Sequence, residues 1–188
     1  NEIANDLGVD SIELGATIAV LMDAGKGGFG DVSFMKEVTS EMMAGSEIGK
    51  FYASGTARVG ESLHFKRVPV IKKQAISAYD PRLIEVTGIS MMVTAQGADH
   101  TVGNNATFKC DDKNIEELVA ESLRMQINAA VADSLGLCVF GRSVTDDNLE
   151  LISNAINDAF DAEVTPDFIR NIGRETLRLE AAFNNAAG

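Results

Sequence analysis

Basic residues are scarce in this chain. Its 188 residues include 16 lysines and arginines against 28 aspartates and glutamates, for a net charge of −12. Binding to nucleic acid phosphates depends on a basic stripe, so nucleic acid is not an expected partner. An anionic membrane surface is excluded for the same reason. The acidic excess is typical of a solvated surface.

Long apolar runs and targeting signals are also missing. No stretch of 18 apolar residues occurs, so no transmembrane helix and no membrane partner are expected. There is no signal peptide, and we expect a cytoplasmic protein. The chain lacks an initiator Met and begins on a motif, so we expect it to be a segment of a longer protein.

Cysteine is rare, with only Cys110 and Cys138 present. The two are not arranged as C-x-x-C, and their spacing forms no metal signature by itself. A disulfide between them is not expected, because 45% of the chain is hydrophobic and a sizeable core can form without one. Cys110 lies in a polar run and is predicted to be a plain surface or turn thiol.

Apolar residues recur at helical spacing along most of the chain, which predicts an all-α, multihelical fold in two small lobes. The clearest pattern covers 114–135, where an apolar stripe consists of Ile115, Leu118, Val119, Leu123, Ile127, Val131 and Leu135. Residues 64–77 are predicted to be extended or an edge strand because of Val68-Pro69-Val70-Ile71. We place the division between domains 1–63 and 64–188 there. The other predicted helices cover 10–24, 33–43 and 82–96, one or two turns up to Leu63, and segments beginning at Thr145 and Thr165.

Capping residues predict where several helices begin. Asp10 and Glu13 have the spacing of a capping box at the start of the helix over 10–24. Pro81 is predicted at the first position of the helix over 82–96, since its φ is preset for that place. Thr145 is predicted to cap the helix that follows it.

One six-residue pattern occurs twice. Asn5–Asp10 has the sequence N-D-L-G-V-D, and Asp133–Cys138 has the sequence D-S-L-G-L-C. Each copy has a polar first residue, a glycine in fourth place and a potential ligand or cap in sixth place. A glycine at a helix boundary supplies unusual dihedral angles and lets the backbone approach a ligand closely. The pair predicts two halves of one binding site, with both copies and His100 on one side of the molecule.

Two further motifs lie between these copies. Ala78–Arg82 has the sequence A-Y-D-P-R, and Thr94–His100 has the sequence T-A-Q-G-A-D-H. In this order the four motifs resemble the aldehyde:ferredoxin oxidoreductase family over essentially the whole chain. Members of that family carry tungsten, or sometimes molybdenum, on two pterins beside a 4Fe-4S cluster. The resemblance implies the helical C-terminal domains of such an enzyme, without its N-terminal pterin-binding domain.

The resemblance implies that each six-residue motif contacts one pterin. The first copy would do so through Asn5, Gly8 and Asp10. The second would use Asp133, Gly136 and Leu137. A carboxylate or amide oxygen in first place can accept hydrogen bonds from the pterin ring, although Asn5 stands where the family usually has Asp. A turn residue is the alternative for Asn5, and solvation of a helix end is the alternative for Asp133.

Cys138 and His100 are the candidates for metal and catalytic roles. A 4Fe-4S cluster takes four thiolates. The resemblance implies that Cys138 is the fourth ligand, while the C-x-x-C-x-x-x-C that supplies the others is absent here. The resemblance places His100 near metal and substrate, where an imidazole can transfer a proton. By themselves, a buried apolar role for the cysteine and a structural role for the histidine are the alternatives. Arg82 is predicted to fasten a helix start.

The function that follows from the resemblance is oxidation of an aldehyde to a carboxylic acid. Electrons would pass through the cluster to ferredoxin, and a homodimer is one assembly that the resemblance allows. The chain alone is expected to be inactive and to hold neither pterin nor cluster. The alternative function is a non-catalytic helical domain that serves as a structural or interaction module.

Overall fold

The computed structural model describes all residues 1–188. They form two compact units, Asn1–Ala78 and Tyr79–Gly188. Ten α-helices account for most of the chain, and the only sheet is one short hairpin. The predicted all-α fold is therefore confirmed. No helix combines the length and the apolar character needed to cross a membrane.

The first unit is built around α2, which packs against α1 and α5, while α3 packs against α4. Its core is apolar and comes mainly from α2 and α3, as their amphipathic spacing requires. The core residues are Ile18, Leu21, Met22, Phe34, Val38, Met42 and Val59. The helices are α1 (Glu2–Leu7), α2 (Ser11–Asp23), α3 (Val32–Ala44), α4 (Glu47–Tyr52) and α5 (Thr56–Ser62).

The predicted edge strand is half of a hairpin that belongs to the first unit. Strands β1 (Val70–Ile71) and β2 (Gln74–Ala75) pair antiparallel, and β2 packs against α2 and α5. The turn between them holds Lys72 at φ 52° and Lys73 at φ 67°. Two positive φ angles in a two-residue loop are characteristic of a type I′ turn, whose twist matches that of the strands. Because the hairpin packs on α2, the first unit extends through Ala78 and not to the predicted division after residue 63.

Glu13 connects three elements of the first unit. Asp10 caps α2 as predicted, since its Oδ1 accepts hydrogen bonds from the backbone N–H groups of Ile12 and Glu13 at 2.9 and 2.8 Å. The predicted reciprocal bond from Glu13 does not form. Its carboxylate accepts instead from the N–H groups of Thr56 (3.0 Å) and Ala75 (2.7 Å). Glu13 thereby satisfies the start of α5, whose N-cap glycine has no side chain to do so.

The second unit is centred on α7, which packs against α6 and α10, and α9 packs against α10. Gly173 allows α10 to approach α7 closely. A Cβ atom there would lie 2.4 Å from the Ile127 carbonyl oxygen, inside van der Waals contact. The elements are α6 (Glu85–Val93), α7 (Ile115–Ser134), a 3₁₀ turn (Val139–Gly141), α8 (Arg142–Thr145), α9 (Leu149–Phe160) and α10 (Pro166–Ala187).

Two helix starts predicted in this unit are wrong. Pro81 does not begin a helix, because residues 81–84 form a turn and α6 starts at Glu85. Thr145 is the last residue of α8, and its hydroxyl donates back to the Gly141 carbonyl instead of capping α9. In both places a turn or a short extra helix replaces the predicted first turn.

The apolar stripe predicted on α7 is buried only in part, at Leu118, Ile127 and Val131. Ile115, Val119 and Leu123 are 74%, 48% and 50% exposed. The buried face also includes Ser122 and Gln126. These polar groups are tolerated inside because they are hydrogen-bonded: the hydroxyls of Ser90 and Ser122 lie 2.7 Å apart, and the Gln126 amide donates to Ser122 at 3.0 Å.

Candidate functional site

The first six-residue motif forms a tight corner at the end of α1. Gly8 has φ 68° and ψ 32°, the left-handed conformation in which glycine is favoured. The Gly8 N–H donates to the Asn5 carbonyl at 3.1 Å, and the Val9 N–H donates to the Ala4 carbonyl at 3.0 Å. This pair of bonds is the Schellman arrangement, which satisfies carbonyls that a helix end leaves without partners.

The second motif forms the same corner at the end of α7. Gly136 has φ 67°. Its N–H donates to the Asp133 carbonyl at 3.2 Å, and the Leu137 N–H donates to the Ala132 carbonyl at 2.8 Å. The two motifs also match in burial, position by position. A buried alanine precedes each motif, and the sixth residue of each motif is exposed. The sequence repeat is therefore a structural repeat of one backbone corner.

The sixth residue begins the next helical segment in both copies, but the two side chains are used differently. Asp10 (φ −63°, ψ 131°) and Cys138 (φ −71°, ψ 128°) share one extended conformation. The Asp10 carboxylate is engaged in capping α2. Cys138 makes no side-chain cap, and its thiol is exposed, whereas Cys110 is buried against Val86 and Leu118. The second corner thus presents a free sulfur where the first presents a structural cap.

The first residue of each motif presents an unused acceptor. Asn5 and Asp133 are exposed, and neither side chain makes a hydrogen bond within the protein. Each lies in the last turn of its helix, so that the backbone behind the side chain is held by the corner. The corner holds the backbone that carries each acceptor, and the side-chain oxygen is accessible to N–H groups of a ligand.

The space around the two corners differs within the respective units. A groove of about 510 Å³ lies beside the first corner, lined by Val9, Asp10, Glu13, Ala53, Ser54, Gly55, Ala57, Arg58 and Lys73. Beside the second corner, Leu137 packs near α8 and α9, and the corresponding cavity is only about 10 Å³. The first groove has the size of a small-molecule site, while the second corner offers its exposed side chains and not a cavity.

His100 lies in a loop that is held by its own hydrogen bonds. The Thr94 hydroxyl donates to the Gly97 carbonyl at 2.8 Å. Asp99 Oδ1 accepts from both the N–H and the hydroxyl of Thr101 at 2.7 Å. The His100 ring is half-buried and stacks on the Tyr79 ring, with 5.7 Å between centroids and 29° between planes. Tyr79, which the sequence reasoning assigned no role, thus joins the A-Y-D-P-R and T-A-Q-G-A-D-H motifs.

The turn after Tyr79 is fastened by Asp80 and Arg82. The Arg82 N–H and its guanidinium both donate to the Asp80 carboxylate, at 2.6 to 3.1 Å. These hydrogen bonds from the Arg82 side chain, and then from its backbone, lower the pKa of Asp80 to about 2. Arg82 therefore fastens this turn, although the turn precedes α6 and is not its first turn.

The predicted site residues are divided between the two units. Asn5, Gly8 and Asp10 belong to the first unit; His100, Asp133, Gly136, Leu137 and Cys138 belong to the second. Within the second unit, His100 makes no hydrogen bond with Asp133 or Cys138. No group of three His, Cys, Asp or Glu side chains is arranged to hold a metal ion. A cluster that takes four thiolates can therefore receive only one exposed cysteine from this chain.

Comparison with known proteins shows the family to which the chain belongs. The sequence model of a family described as aldehyde ferredoxin oxidoreductase, domains 2 and 3, matches residues 1–188. The chain belongs to this family. The match covers both units, with one corner in each, so the corners are features of aldehyde ferredoxin oxidoreductase domains 2 and 3 in this chain.

Similar proteins from Pyrococcus and Thermococcus species carry one description, tungsten-containing aldehyde ferredoxin oxidoreductase. The relative from Pyrococcus horikoshii is 26% identical over 100% of this chain and 35% of its own length. The relatives from Pyrococcus furiosus and Thermococcus kodakarensis are 25% and 24% identical, over 100% of this chain and 34% of theirs. The chain thus spans about a third of the length of the curated relatives it matches.

Proposed function

We propose that this chain is the helical C-terminal part of an enzyme that oxidises an aldehyde to a carboxylic acid. Electrons would leave through a 4Fe-4S cluster to ferredoxin. The observation that supports this most is the structural repeat of one corner, because two identical corners suit a cofactor with two similar halves. The repeat lies in a chain whose similar proteins are described as tungsten-containing.

Two corners with unused acceptors fit the recognition of two pterins. Asn5 and Asp133 would each accept hydrogen bonds from the ring N–H groups of one pterin. Gly8 and Gly136 leave the backbone of each corner uncovered, since no Cβ is present to block a ring from approaching. Asp10 would act by holding the first corner against α2, and Leu137 by packing the second corner onto α8 and α9. When bound, the tungsten on these pterins supplies a two-electron acceptor.

Cys138 fits the role of one cluster ligand. Its thiol is exposed and free, and it stands on a corner whose backbone is fixed by two hydrogen bonds. The other three thiolates would come from the N-terminal pterin-binding domain of the same protein. One thiolate does not hold a cluster, so the 188-residue chain alone is expected to contain neither iron nor tungsten and to be inactive.

His100 would move the proton in this reaction. A neutral imidazole nitrogen can accept a proton from a hydrated carbonyl or donate one to a developing oxyanion near neutral pH. Stacking on Tyr79 limits rotation of the His100 ring, so that one edge of the imidazole keeps a fixed direction. Tyr79 is therefore a positioning residue for His100.

The test is aldehyde-dependent reduction of ferredoxin by the full-length protein that contains this chain. We expect activity, with stoichiometric tungsten and four irons measured by elemental analysis. The chain of 188 residues, purified alone, is the matched control and should contain neither metal. A full-length protein that lacks both metals and oxidises no aldehyde would refute the proposal and favour the helical structural or interaction module.

A further inference from the structure

The groove beside the first corner carries two positive charges that the fold leaves unpaired. Arg58 of α5 and Lys73 of the hairpin turn both line this groove, whose volume is about 510 Å³. Both side chains are exposed. Neither makes a hydrogen bond or an ion pair within the chain. The groove therefore brings together two free cations from separate elements of the first unit.

Two carboxylates also line the groove, but the backbone engages both of them. Oδ1 of Asp10 accepts hydrogen bonds from two N–H groups at the start of α2. Both oxygens of Glu13 accept from backbone N–H groups, one in α5 and one in β2. Neither carboxylate forms an ion pair with Arg58 or Lys73. The two cations are therefore the charged groups of this groove that remain available to a ligand.

Both cations occupy positions that are unfavourable for the fold. Lys73 has φ 67° in the type I′ turn, where a residue without a Cβ atom is preferred. Arg58 lies in the first turn of α5, where the positive end of the helix dipole favours an acidic side chain and none is present. A residue in an unfavourable position that no contact inside the protein explains indicates a functional use. The structure contains no such contact for either side chain.

We propose that this groove is a binding site for a small phosphate monoester, held between Arg58 and Lys73. A guanidinium donates two parallel hydrogen bonds to phosphate oxygens, and an ammonium adds a compact positive charge. The groove has room for more than a phosphate group. Its apolar lining accommodates the organic part of the ligand and consists of Val9, Ala53 and Ala57.

This site goes beyond the proposed function and does not depend on it. The residues assigned to the ring of a pterin at this corner, Asn5 and Gly8, do not line the groove. A ligand between Arg58 and Lys73 would connect the start of α5 to the hairpin, and it would stabilise the first unit because it binds only the folded chain. The chain of 188 residues is therefore sufficient to test the site.

The first experiment titrates the ¹⁵N-labelled chain with phenyl phosphate at constant ionic strength. The backbone amide resonances of Gly55 and Arg58 should shift until the site is saturated, whereas benzyl alcohol, which has the ring without the phosphate, should cause no saturating shift. Arg58→Gln and Lys73→Gln should each weaken the affinity about tenfold, as expected when a hydrogen bond to a charged group is lost. Lys66→Gln is the matched control, because Lys66 is an exposed lysine that does not line the groove.

A second experiment separates binding by Lys73 from its place in the turn. Lys73→Gly relieves the positive φ and removes the cation, so without ligand this variant should unfold at a higher temperature than the wild type. Phenyl phosphate should raise the unfolding temperature of the wild type and of Lys66→Gln. It should raise that of Lys73→Gly much less. A full ligand-induced rise in Lys73→Gly would show that Lys73 does not contact the ligand and would overturn the proposal.

Three further outcomes would overturn the phosphate site. They are the absence of a saturating shift with phenyl phosphate, an equal loss of affinity in Lys66→Gln, and a loss of tungsten from the holoenzyme that carries Arg58→Gln. The last result would show that the groove is part of the cofactor site. The proposed function is tested separately, by aldehyde-dependent reduction of ferredoxin, and its failure would leave the phosphate site in place.

Discussion

The ring of Tyr79 stacks on the ring of His100, with their centroids 5.7 Å apart. Twenty other positions separate the two residues in sequence, and the contact joins the A-Y-D-P-R motif to the T-A-Q-G-A-D-H motif. The contact sets the direction of the imidazole ring. A tyrosine in this place acts through its ring face, and therefore its hydroxyl is not required for stacking.

Removing the ring of Tyr79 should release His100. In Tyr79→Leu we expect the His100 Cε1 proton resonance to lose its ring-current shift, and in Tyr79→Phe we expect it to keep that shift. The chain has 2 histidines, so His64 provides an internal reference that should not move in either variant. In the holoenzyme, Tyr79→Leu should lower kcat about tenfold, the range of a modest loss of positioning. An unchanged resonance in Tyr79→Leu would show that the stacking does not persist in solution.

The two cysteines should react differently with thiol reagents. Cys138 is exposed and Cys110 is buried, so iodoacetamide should modify Cys138 in the folded chain and Cys110 only after denaturation. Peptide mass spectrometry distinguishes the two sites. In the holoenzyme, Cys138→Ser should abolish the electron paramagnetic resonance signal of the reduced 4Fe-4S cluster.

Cys110→Ser is the control for that variant. It should leave the cluster signal in place but lower the free energy of unfolding by about 1–2 kcal/mol, because a hydroxyl replaces a thiol within the apolar core. A full cluster signal in Cys138→Ser would remove Cys138 from the ligand set.

The Asp80 carboxylate should make the folded chain less stable at acidic pH than at neutral pH. Its pKa is lowered to about 2 in the folded state, against about 3.9 in an unfolded chain. A lowered pKa stabilises the fold above pH 4 and loses that contribution as the pH falls from about 4 to about 2. Asp80→Asn should therefore show a smaller decrease of the urea midpoint between pH 5 and pH 2 than the wild type.

Asn at position 80 can still accept the Arg82 N–H, so this variant removes the charge and keeps the turn. Asp6→Asn, at an exposed aspartate without a hydrogen bond, is the control and should follow the wild type. Identical pH dependence in the wild type and Asp80→Asn would contradict the assignment.

Substitutions in the hairpin turn at Lys72 and Lys73 should raise the stability of the fold. Lys72 and Lys73 both have positive φ, which is unfavourable for residues with a Cβ atom. Replacing the pair by Asn-Gly, the sequence that type I′ turns prefer, should raise the free energy of unfolding by about 1 kcal/mol. Thermal unfolding monitored by circular dichroism measures the change. Lys66→Gly, outside the turn, should not stabilise; a gain as large there would show that the turn conformation is not responsible.

Local features of this fold could be predicted from the sequence. Both glycine corners and the caps at Asp10 and Thr165 depend on hydrogen bonds that close within a few residues, so the pattern of residue types is enough. The all-α class follows from spacing alone. Motif resemblance, and not spacing, assigned the individual site residues, and those assignments remain predictions.

Features that depend on distant neighbours could not be predicted. The Glu13 carboxylate does not accept the hydrogen bond of a capping box. It accepts instead from the backbone N–H groups of Thr56 and Ala75, which lie far along the chain. The predicted stripe on α7 divides, because the second unit buries Leu118, Ile127 and Val131 and leaves Ile115, Val119 and Leu123 exposed. The stacking of Tyr79 on His100 could not be predicted, because the two residues are far apart in sequence. In each case the missing information was which segments meet in space.

The absence of a side chain at Gly173 has a consequence for the groove of about 440 Å³ that Thr94, Val102, Leu177 and Phe183 line in the second unit. Gly173 is where α10 touches the backbone of α7, and the groove wall begins one turn further along the same helix. The close contact at Gly173 therefore sets the position of the following segment of α10, from Leu177 to Phe183, which lines the groove. The single methyl group added by Gly173→Ala would push α10 away from α7 and change the width of the groove, although residue 173 does not itself line it.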